Sequence, residues 1–536
     1  MEFSYPWEFT GRRSPTMATG GMVATSHPLA ARTGTRVLED GGTAADAAVA
    51  TAAVLGVVEP HMTGIGGDAF ALTQFDGEYA ALNGSGGAPA AATLEAYRSE
   101  LDDGDGEPEI PSEGGMPVTV PGALDAWKRL IDRYGRRDLA DLLAPAAEYA
   151  REGVPVGQNV ARELRRPADR IAEFPGTADT FLVDGEAPDP GDRVANPDLA
   201  ATYETIAEEG IGAFYGGEIG ADLVETVRAH DGKLTLDDLA DHEGEWTEPI
   251  STEYRGVEVL EHPPNGQGTV ALTALNIAEQ FDLPGDPTDP DRLHHLIEAI
   301  KLAFADGYQY IGDPDVVDVP LDTMLSAEYA RTRAEEIGHR ADTYAPRAGP
   351  SSDTVYLSVV DGDGNAVSFI NSIYMSFGSG LSTRGFAIQN RGHSFSLDPE
   401  HNNALAPGKR PFHTIIPAML REDGEFRAAV GVMGGSMQPQ GHLQVIHNLV
   451  GGGLNPQAAI DAPRFRWLDD RRVALETRRV PDRVVANLRG RGHRIVPEDE
   501  TEELGAFGGG QMIYRTADGR LIGGSEPRKD GQAIGF

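Results

Sequence analysis

The sequence of 536 residues contains no cysteine. This absence excludes disulfide bonds, metal sites built from thiolates and a cysteine nucleophile. The sequence also lacks any run of about 18 apolar residues, so we expect no membrane-spanning segment. The first residues, MEFSYPWEFTGRRSPTMATGG, have no apolar stretch behind a basic start. We therefore predict that there is no signal peptide and that the protein is cytoplasmic.

Lysine is scarce, and the sequence contains only Lys128, Lys233, Lys301, Lys409 and Lys529. The net charge is −39, because 84 acidic residues outnumber 45 basic ones. Such a charge repels nucleic acids and anionic membranes, so neither is an expected partner. The acidic residues are spread along the chain and do not form one tail. We interpret them as the hydrated surface of a halophilic protein, and a polycationic partner is the alternative.

Helical patterns dominate before residue 340 and strand patterns dominate after residue 354, with a Pro- and Ser-rich segment at 340–353 between them. The stretch TAADAAVATAAVLGV has small residues on all sides, which predicts a helix packed closely against other backbone. The length allows two to four domains. Together these patterns predict an α+β fold in which two sheets are covered by helices.

Three motifs that often carry chemistry are incomplete. His294, His295 and Glu298 lack the His-x-x-x-His spacing of a zinc helix, so we interpret them as part of a solvated helix face. GGSMQPQG has Gln438 where a nucleophile elbow needs glycine. GIGGD at 64–68 has neither the dinucleotide-binding spacing nor a Walker lysine. The sequence therefore supports no metal, nucleotide or other cofactor.

The stretch PSSDTVYLSVVDGDGNAVSFINS predicts a β-hairpin. Residues 354–360 and 366–371 are rich in β-branched and aromatic side chains, and DGDGN between them supplies residues that tolerate positive φ. The first strand opens with Thr354, directly after the polar segment. If the chain is cut before Thr354, the new α-amino group lies beside the threonine hydroxyl. An amine of pKa about 7.7–8.0 can then serve as the base for that hydroxyl.

The sequence resembles the γ-glutamyltranspeptidase family of N-terminal nucleophile hydrolases over nearly its whole length. The stretches that carry the resemblance are GGTAADAAVATAAVLGVVEPHMTGIGGDAF, VPGALDAW, HPPNGQG, DTVYLSVVDGDGNAVSFINSIYMSFGSG, APGKRP, MGGS, DAPRF and GGSEPRKDGQAIGF. The resemblance implies an αββα four-layer sandwich and a proenzyme that cleaves itself before a threonine. The expected products are a large subunit, residues 1–353, and a small subunit, residues 354–536. These subunits stay associated, and a homodimer of the processed heterodimers is a further expected partnership.

The resemblance also implies roles for residues at matching positions. Thr354 matches the nucleophile, and Ser372 matches the hydroxyl residue that orients it. Gly434 and Gly435 match the pair whose backbone N–H groups form the oxyanion hole, where each donor typically contributes about 2.7–4 kcal/mol. The alternative for Ser372 is a strand serine without a catalytic role. The alternative for Gly434 and Gly435 is a tight turn without such a role.

Several substrate-binding positions depart from the family pattern. Ser85 stands where the transpeptidases have the arginine that clasps the glutamyl α-carboxylate. Ser394 replaces the aspartate that binds the α-amino group, and Tyr374 replaces a substrate-binding asparagine. These changes remove the reason to prefer an α-amino acid.

Other departures add donors. Arg391 stands where glutamine is usual, and His413 and Thr414 replace a pair of serines. A guanidinium is a fixed fork for a carboxylate, so these positions suggest an acyl group that ends in an acid and lacks a free amine. The pattern is similar to the intracellular branch that contains oxamate amidohydrolase and relatives of the cephalosporin acylases.

The leading interpretation is an autoprocessed amidase or acyltransferase that forms an acyl-threonine and passes the acyl group to water or an amine. Glutathione or another γ-glutamyl compound is the donor typical of the family. Oxamate or a dicarboxylic monoamide is the alternative suggested by the departures. An inactive binding homologue is the alternative of another class, and the presence of Thr354, Ser372, Gly434 and Gly435 argues against it.

Overall fold

The computed structural model describes residues 13–101, 108–344, 354–501 and 506–536. Most of the Pro- and Ser-rich segment expected at 340–353 therefore lies outside the described residues. The predicted hairpin is confirmed, and its strands are Val355–Val360 and Ala366–Ser372.

In the described ranges, fourteen strands form two antiparallel sheets of seven strands each. Sheet one has the spatial order Thr16–Ala18, Leu521–Ser525, Gly509–Arg515, Glu425–Met433, Ala418–Glu422, Val257–Glu261 and Ile250–Tyr254. Sheet two has the order Gln532–Gly535, Met22–Thr25, Val355–Val360, Ala366–Ser372, Asp68–Phe75, Glu78–Gly84 and Glu245–Thr247. Shorter strands form three small sheets, namely Phe465–Asp469 with Arg472–Leu475 and Arg494–Pro497, Ser382–Thr383 with Phe386–Ala387, and Val154–Pro155 with Arg193–Val194.

Helices occupy both outer faces of this pair of sheets. The described helices up to residue 240 are Pro28–Glu39, Ala44–Val58, Leu94–Leu101, Ala123–Tyr134, Leu139–Glu152, Gln158–Arg165, Ala168–Ile171, Pro175–Phe181, Pro197–Glu209, Gly212–Tyr215, Glu218–Arg228 and Leu236–Ala240. The later ones are Gly268–Ala278, Pro290–Tyr310, Leu321–Met324, Ala327–Ala334, Met437–Ile446, Pro456–Asp461 and Asp482–Gly490.

The two sheets pack face to face, and an apolar cluster that includes Leu72, Met419 and Ile513 fills the space between them. Helix Ala44–Val58 covers the hairpin on the outer side of sheet two, whereas helix Met437–Ile446 covers sheet one. The predicted αββα four-layer sandwich is therefore confirmed.

The alanine-rich helix Ala44–Val58 is buried along almost its whole surface, as predicted. Thr43 and Asp46 form a capping box at its first turn, which satisfies backbone N–H groups that the helix itself leaves unpaired. Its small side chains allow close approach to the strands that carry the hairpin. This helix therefore fixes the hairpin from behind.

The strands are not segregated as the sequence patterns suggested. Each sheet combines strands from before and after Thr354, because hydrogen-bonded pairing joins Met22–Thr25 to Val355–Val360 and Val257–Glu261 to Ala418–Glu422. The two parts of the chain therefore share both sheets and both inner surfaces.

The interpretation of His294 and Glu298 as a solvated helix face is wrong. Both side chains are fully buried, because helix Pro290–Tyr310 packs against helices Gly268–Ala278 and Asp482–Gly490. His294 Nδ1 lies 2.8 Å from Nε2 of His493, which also approaches Glu298. Glu298 Oε1 accepts a hydrogen bond from the Lys301 ammonium at 2.6 Å, so lysine supplies the compensating positive charge in this cluster.

No helix in the described ranges is both long enough and apolar enough to cross a membrane.

Candidate active site

The register of sheet two aligns four polar residues in a row at one end of the sheet. Val355 pairs with Asn371, so the next step in the antiparallel register places Thr354 opposite Ser372. Ser372 pairs in turn with Asp68 on the neighbouring strand. The pairing of Ala69 with Gly84 then places Ser85 beside Asp68. Residues directly opposite each other on neighbouring strands share a face of the sheet, so the row is a direct consequence of register.

Thr354 and Ser372 are fully buried, and their hydroxyls are joined by a hydrogen bond of 3.1 Å from Thr354 Oγ1 to Ser372 Oγ. Ser372 Oγ also accepts a hydrogen bond of 2.9 Å from the backbone N–H of Tyr374. Gly67 lies against this serine, and a Cβ at Gly67 would lie 2.3 Å from the Ser372 carbonyl oxygen. The glycines before Asp68 therefore allow the close approach of two backbones at this point.

Gly434 and Gly435 form the turn between strand Glu425–Met433 and helix Met437–Ile446. Their φ angles of 123° and 58° lie in the region that favours glycine. The Gly434 carbonyl accepts a hydrogen bond from Met437 N at 3.0 Å. Because C=O and N–H of a trans peptide point in opposite directions, the N–H of Gly435 is directed away from the helix.

Gln267 connects this glycine turn to the next part of the site. Its Nε2 donates to the carbonyl oxygens of Gly435, at 2.9 Å, and of Thr414, at 2.6 Å. Gln267 is fully buried and belongs to the stretch HPPNGQG. It therefore holds the turn of Gly434 and Gly435 against the segment that carries Thr414.

Arg391 is fully buried in the short 3-10 turn Arg391–Ser394. Its Nη1 donates to Thr414 Oγ1 at 2.8 Å, and its Cζ lies 4.2 Å from the centroid of the Tyr374 ring. Nε and Nη2 have no hydrogen-bond partner among the described residues. A buried cation with two unpaired donors is an incomplete arrangement that a bidentate anion would complete.

Asp68 supplies the negative charge nearest to this arginine. Its Oδ1 accepts hydrogen bonds from Gly86 N, Gly122 N and Gln389 Nε2 at 3.2–3.3 Å. Its Oδ2 lies 3.0 Å from Nε2 of His413. Both oxygens are thus engaged, and the carboxylate compensates Arg391 through space without a direct ion pair.

Burial raises the pKa of Asp68 to about 7, and the charge of Arg391 opposes that rise. Burial likewise lowers the pKa of Arg391 to about 10, and Asp68 opposes that fall. These opposite shifts arise because a low dielectric disfavours either charge.

His413 is buried beside Asp68. Burial, with the charge of Arg391, holds its pKa well below the usual value, so the ring is neutral. Its Nδ1 accepts a hydrogen bond of 3.3 Å from Ile415 N, which assigns the ring proton to Nε2, the donor to Asp68. In this state His413 uses both nitrogens within the protein and fixes the orientation of the Asp68 carboxylate.

Ser85 and Ser394, which stand at positions that depart from the family pattern, are both hydrogen-bonded. Ser85 is buried and Ser394 is half-buried. Ser85 Oγ donates to Asn83 Oδ1 at 2.7 Å, and it also accepts from Asn265 Nδ2 at 3.2 Å. Ser394 Oγ donates to the carbonyl oxygens of Arg391 and Phe412. Neither serine carries a charge. The charged side chains described so far beside Thr354 and Ser372 are therefore Arg391 and Asp68.

A cavity of about 420 Å³ adjoins the site. Tyr374, Ser394 and Thr414 form part of its wall. The remaining lining combines apolar and aromatic side chains with two histidines and two acidic residues, and it includes Ile110, Tyr308, Phe395, Phe412, His393, His401, Glu109 and Asp398. The structure thus brings three of the predicted substrate-binding residues to one cavity, with Arg391 behind Tyr374.

Sequence reasoning missed Asp68, Gln267 and Gln389. Asp68 ends the glycine-rich stretch GIGGD, and the signal that could have found it is an acidic residue at the start of an apolar strand, directly after two glycines. Gln267 lies in a stretch that carried the family resemblance. No local pattern marks Gln389, because its contacts with Asp68 and Val120 O arise only in the folded chain.

The model of the family described as Gamma-glutamyltranspeptidase matches residues 30–536. Among curated proteins, the glutathione hydrolase-like YwrD proenzyme of Bacillus subtilis is 40% identical over 97% of this chain and 99% of its own length. The oxamate amidohydrolase proenzyme of Klebsiella pneumoniae is 37% identical over 98% of this chain and 100% of its own length.

Among solved structures, the cephalosporin acylase from Bacillus halodurans superposes with a TM-score of 0.92 at 47% identity. The match covers 99% of this chain and 98% of that protein. The similarities in sequence and in structure therefore extend over the same, nearly complete, length of the chain.

Proposed function

This chain belongs to the γ-glutamyltranspeptidase family, and we propose that it is an autoprocessed amidase with Thr354 as nucleophile. The similar proteins are hydrolases and acylases, so the chain is an enzyme of this type. The hydrogen bond between Thr354 Oγ1 and Ser372 Oγ is the observation that supports this proposal most directly. Relatives named as proenzymes support the processing step.

Self-cleavage would begin with attack of Thr354 Oγ1 on the carbonyl carbon of Asp353. The C–N bond then breaks as the acyl group moves from nitrogen to oxygen and the hydroxyl proton passes to the freed nitrogen, and water hydrolyses the resulting ester. The products are a large subunit ending in the Asp353 carboxylate and a small subunit beginning with the Thr354 α-amine. Because both sheets contain strands from each part, the subunits remain joined after cleavage.

In amide hydrolysis the α-amine would take the proton of Thr354 Oγ1 while this oxygen attacks the donor carbonyl. The proton then passes to the leaving amine, and the acyl group remains as an ester on Thr354. Ser372 orients the attacking oxygen. Water or a second amine then attacks the ester and frees the threonine, which gives hydrolysis or acyl transfer.

The turn of Gly434 and Gly435 would stabilise the negative oxygen of each tetrahedral intermediate through backbone N–H groups. Gln267 holds this turn through the Gly435 carbonyl, so the donors are fixed before the reaction begins. Preorganised donors act strongly because they need no reorganisation as charge develops.

The donor we propose is an amide whose acyl group ends in a carboxylate. The unpaired Nε and Nη2 of Arg391 support this choice, because a carboxylate would complete their hydrogen bonds. His413 and Asp68 then act as positioning residues beneath the guanidinium. Glutaryl-type and other dicarboxylic monoamides fit this description, and γ-glutamyl compounds are the family-typical alternative.

Electrophoresis with N-terminal sequencing tests the nucleophile. The purified protein should give two fragments, and the smaller should begin Thr-Val-Tyr-Leu. Thr354→Ala should give one uncut, inactive chain, whereas Thr354→Ser, which keeps a hydroxyl, should retain measurable cleavage. A full-length wild-type chain that hydrolyses amides would contradict the assignment. Assays with γ-glutamyl anilide, glutathione, oxamate and glutaryl amides then identify the donor class.

A further inference from the structure

The ring of Tyr374 separates the cavity from the guanidinium of Arg391. Tyr374 lines the cavity, and Arg391 stacks on its ring at 4.2 Å and is fully buried. Thr414, which also lines the cavity, already occupies Nη1 of the guanidinium. A carboxylate that enters the cavity therefore meets the tyrosine ring before it can reach Nε or Nη2.

The closed arrangement leaves two donors of Arg391 unpaired among the described residues. Nε and Nη2 of Arg391 have no hydrogen-bond partner among the described residues, and burying such donors costs free energy. The face of the Tyr374 ring stacks on this guanidinium.

The backbone of Tyr374 is unusual as well. Its φ of 76° lies in the left-handed region, which residues other than glycine, asparagine and aspartate seldom adopt. The N–H of Tyr374 holds this conformation by donating to Ser372 Oγ. The residue that covers Arg391 is therefore directly connected to the hydroxyl pair of Thr354 and Ser372.

We propose that Tyr374 is a gate: its ring covers Arg391 in the resting enzyme and swings away when an acid-terminated donor enters, so that the donor carboxylate pairs with Nε and Nη2. This inference rests on the proposed function, because it takes Arg391 as the carboxylate site. Opening the gate loses the cation–π contact. Only a group that pairs with the guanidinium offsets that loss, so the gate selects against neutral acyl groups.

Binding of glutarate to the processed enzyme, measured by calorimetry, tests the gate without the need for turnover. Tyr374→Asn removes the ring and keeps a residue that tolerates positive φ. Because no stack has to be broken, this variant should bind glutarate about 3- to 10-fold more tightly than the wild type does. Tyr374→Gly is the second ring-free variant and should shift the affinity in the same direction. Tyr374→Phe keeps the stack and should stay near the wild-type affinity.

Tyr329 provides a matched control, since its ring also stacks on an arginine, Arg333, at 5.3 Å but does not line the cavity. Tyr329→Asn should leave glutarate affinity as in the wild type. Glutaric diamide, the neutral analogue, should bind no variant measurably. Melting temperatures confirm that each variant is folded.

The outcomes separate the gate from the function on which it rests. If both ring-free variants bind glutarate equally or more weakly while Arg391→Ala abolishes binding, Tyr374 is a wall of the subsite and the gate is wrong. If Arg391→Ala binds glutarate as well as the wild type, or if no form of the enzyme binds it, the carboxylate site and the gate both fail. In either case the Thr354 mechanism would still be judged by self-cleavage and amide hydrolysis.

Discussion

The hydroxyl end of the candidate site and its charged end are built in different ways. Thr354 and Ser372 face each other because of the register of one hairpin, and their hydroxyls are already hydrogen-bonded. Arg391 comes from a separate turn, comes near Asp68 and His413 only through tertiary packing, and keeps two donors without a partner in the described part of the chain. The hydroxyl pair is thus preassembled, whereas the guanidinium keeps donors that a ligand could engage.

A second buried arginine sharpens this contrast. Arg464 pairs with Glu526 at 2.9 Å and donates to Phe507 O at 2.8 Å, so only its Nε lacks a partner in the described ranges. Its charge is neutralised by direct contact within the protein. Arg464 is therefore suited to stabilising the fold, whereas Arg391 is suited to binding a ligand.

Removal of the Ser372 hydroxyl should have the largest effect. Ser372→Ala leaves Thr354 Oγ1 without its partner, and misplacement of a reacting atom costs on the order of 100-fold in rate. We expect kcat/KM to fall by about that factor and self-cleavage to slow in a time course on denaturing gels. Ser372→Thr keeps a hydroxyl and serves as the control. A loss below threefold in Ser372→Ala would show that the hydroxyl pair is not needed for the reaction.

Truncation of Arg391 should impair recognition and spare the chemistry. Loss of one partner of a buried charged pair costs about 2–5 kcal/mol, so Arg391→Ala should lower kcat/KM for an acid-terminated amide about 30-fold or more. Self-cleavage should continue, because that reaction needs no bound carboxylate. Near-normal kcat/KM on every acid-terminated amide would refute the carboxylate site.

Arg464→Ala is the matched control for Arg391→Ala. It leaves Glu526 with less compensation in the interior, so the free energy of unfolding should fall by about 3–5 kcal/mol. The KM of the folded fraction should stay as in the wild type. A reversed pattern, with stability lost in Arg391→Ala and KM raised in Arg464→Ala, would break the distinction between the two arginines.

The pH should modulate ligand binding at the charged end. Because burial raises the pKa of Asp68 to about 7, this group is neutral below that pH and ionised above it. The ionised form compensates Arg391 and repels an incoming carboxylate, so glutarate should bind more weakly as the pH rises through about 7. A 10-fold change would correspond to about 1.4 kcal/mol. Asp68→Asn should remove this step, and an unchanged pH profile in that variant would exclude Asp68 as its source.

Salt should have the smallest effect on the site itself. The net charge is −39, so the excess acidic side chains repel one another in dilute buffer. Molar salt shortens the Debye length to about 3 Å and weakens this repulsion. We expect the melting temperature to rise in molar KCl by about 5 °C or more. Activity should follow stability at both ends of the site equally. An unchanged melting temperature and full activity in dilute buffer would refute the halophilic interpretation.

Local patterns were sufficient for those parts of the molecule that depend on neighbours in sequence. The strand hairpin and the buried alanine-rich helix follow from residue propensities, which act over a few residues. The place of Ser372 beside Thr354 was implied by the family resemblance, and the register of the structure explains it. The resemblance carried by eight stretches supplied the αββα layers. The distribution of strands between the sheets was not accessible in this way, because pairing partners lie up to several hundred residues apart.

The sequence by itself determined which groups are available: hydroxyls but no thiols, an excess of acids, and an arginine where a glutamine is usual. Only the tertiary structure decided what those groups do. Asp68 and His413 are 345 residues apart and become partners through packing, and His294 and Glu298 are buried although their spacing suggested an exposed face. The physical reason is that burial and charge compensation depend on the surroundings of a side chain in space, which register and propensity along one segment do not specify.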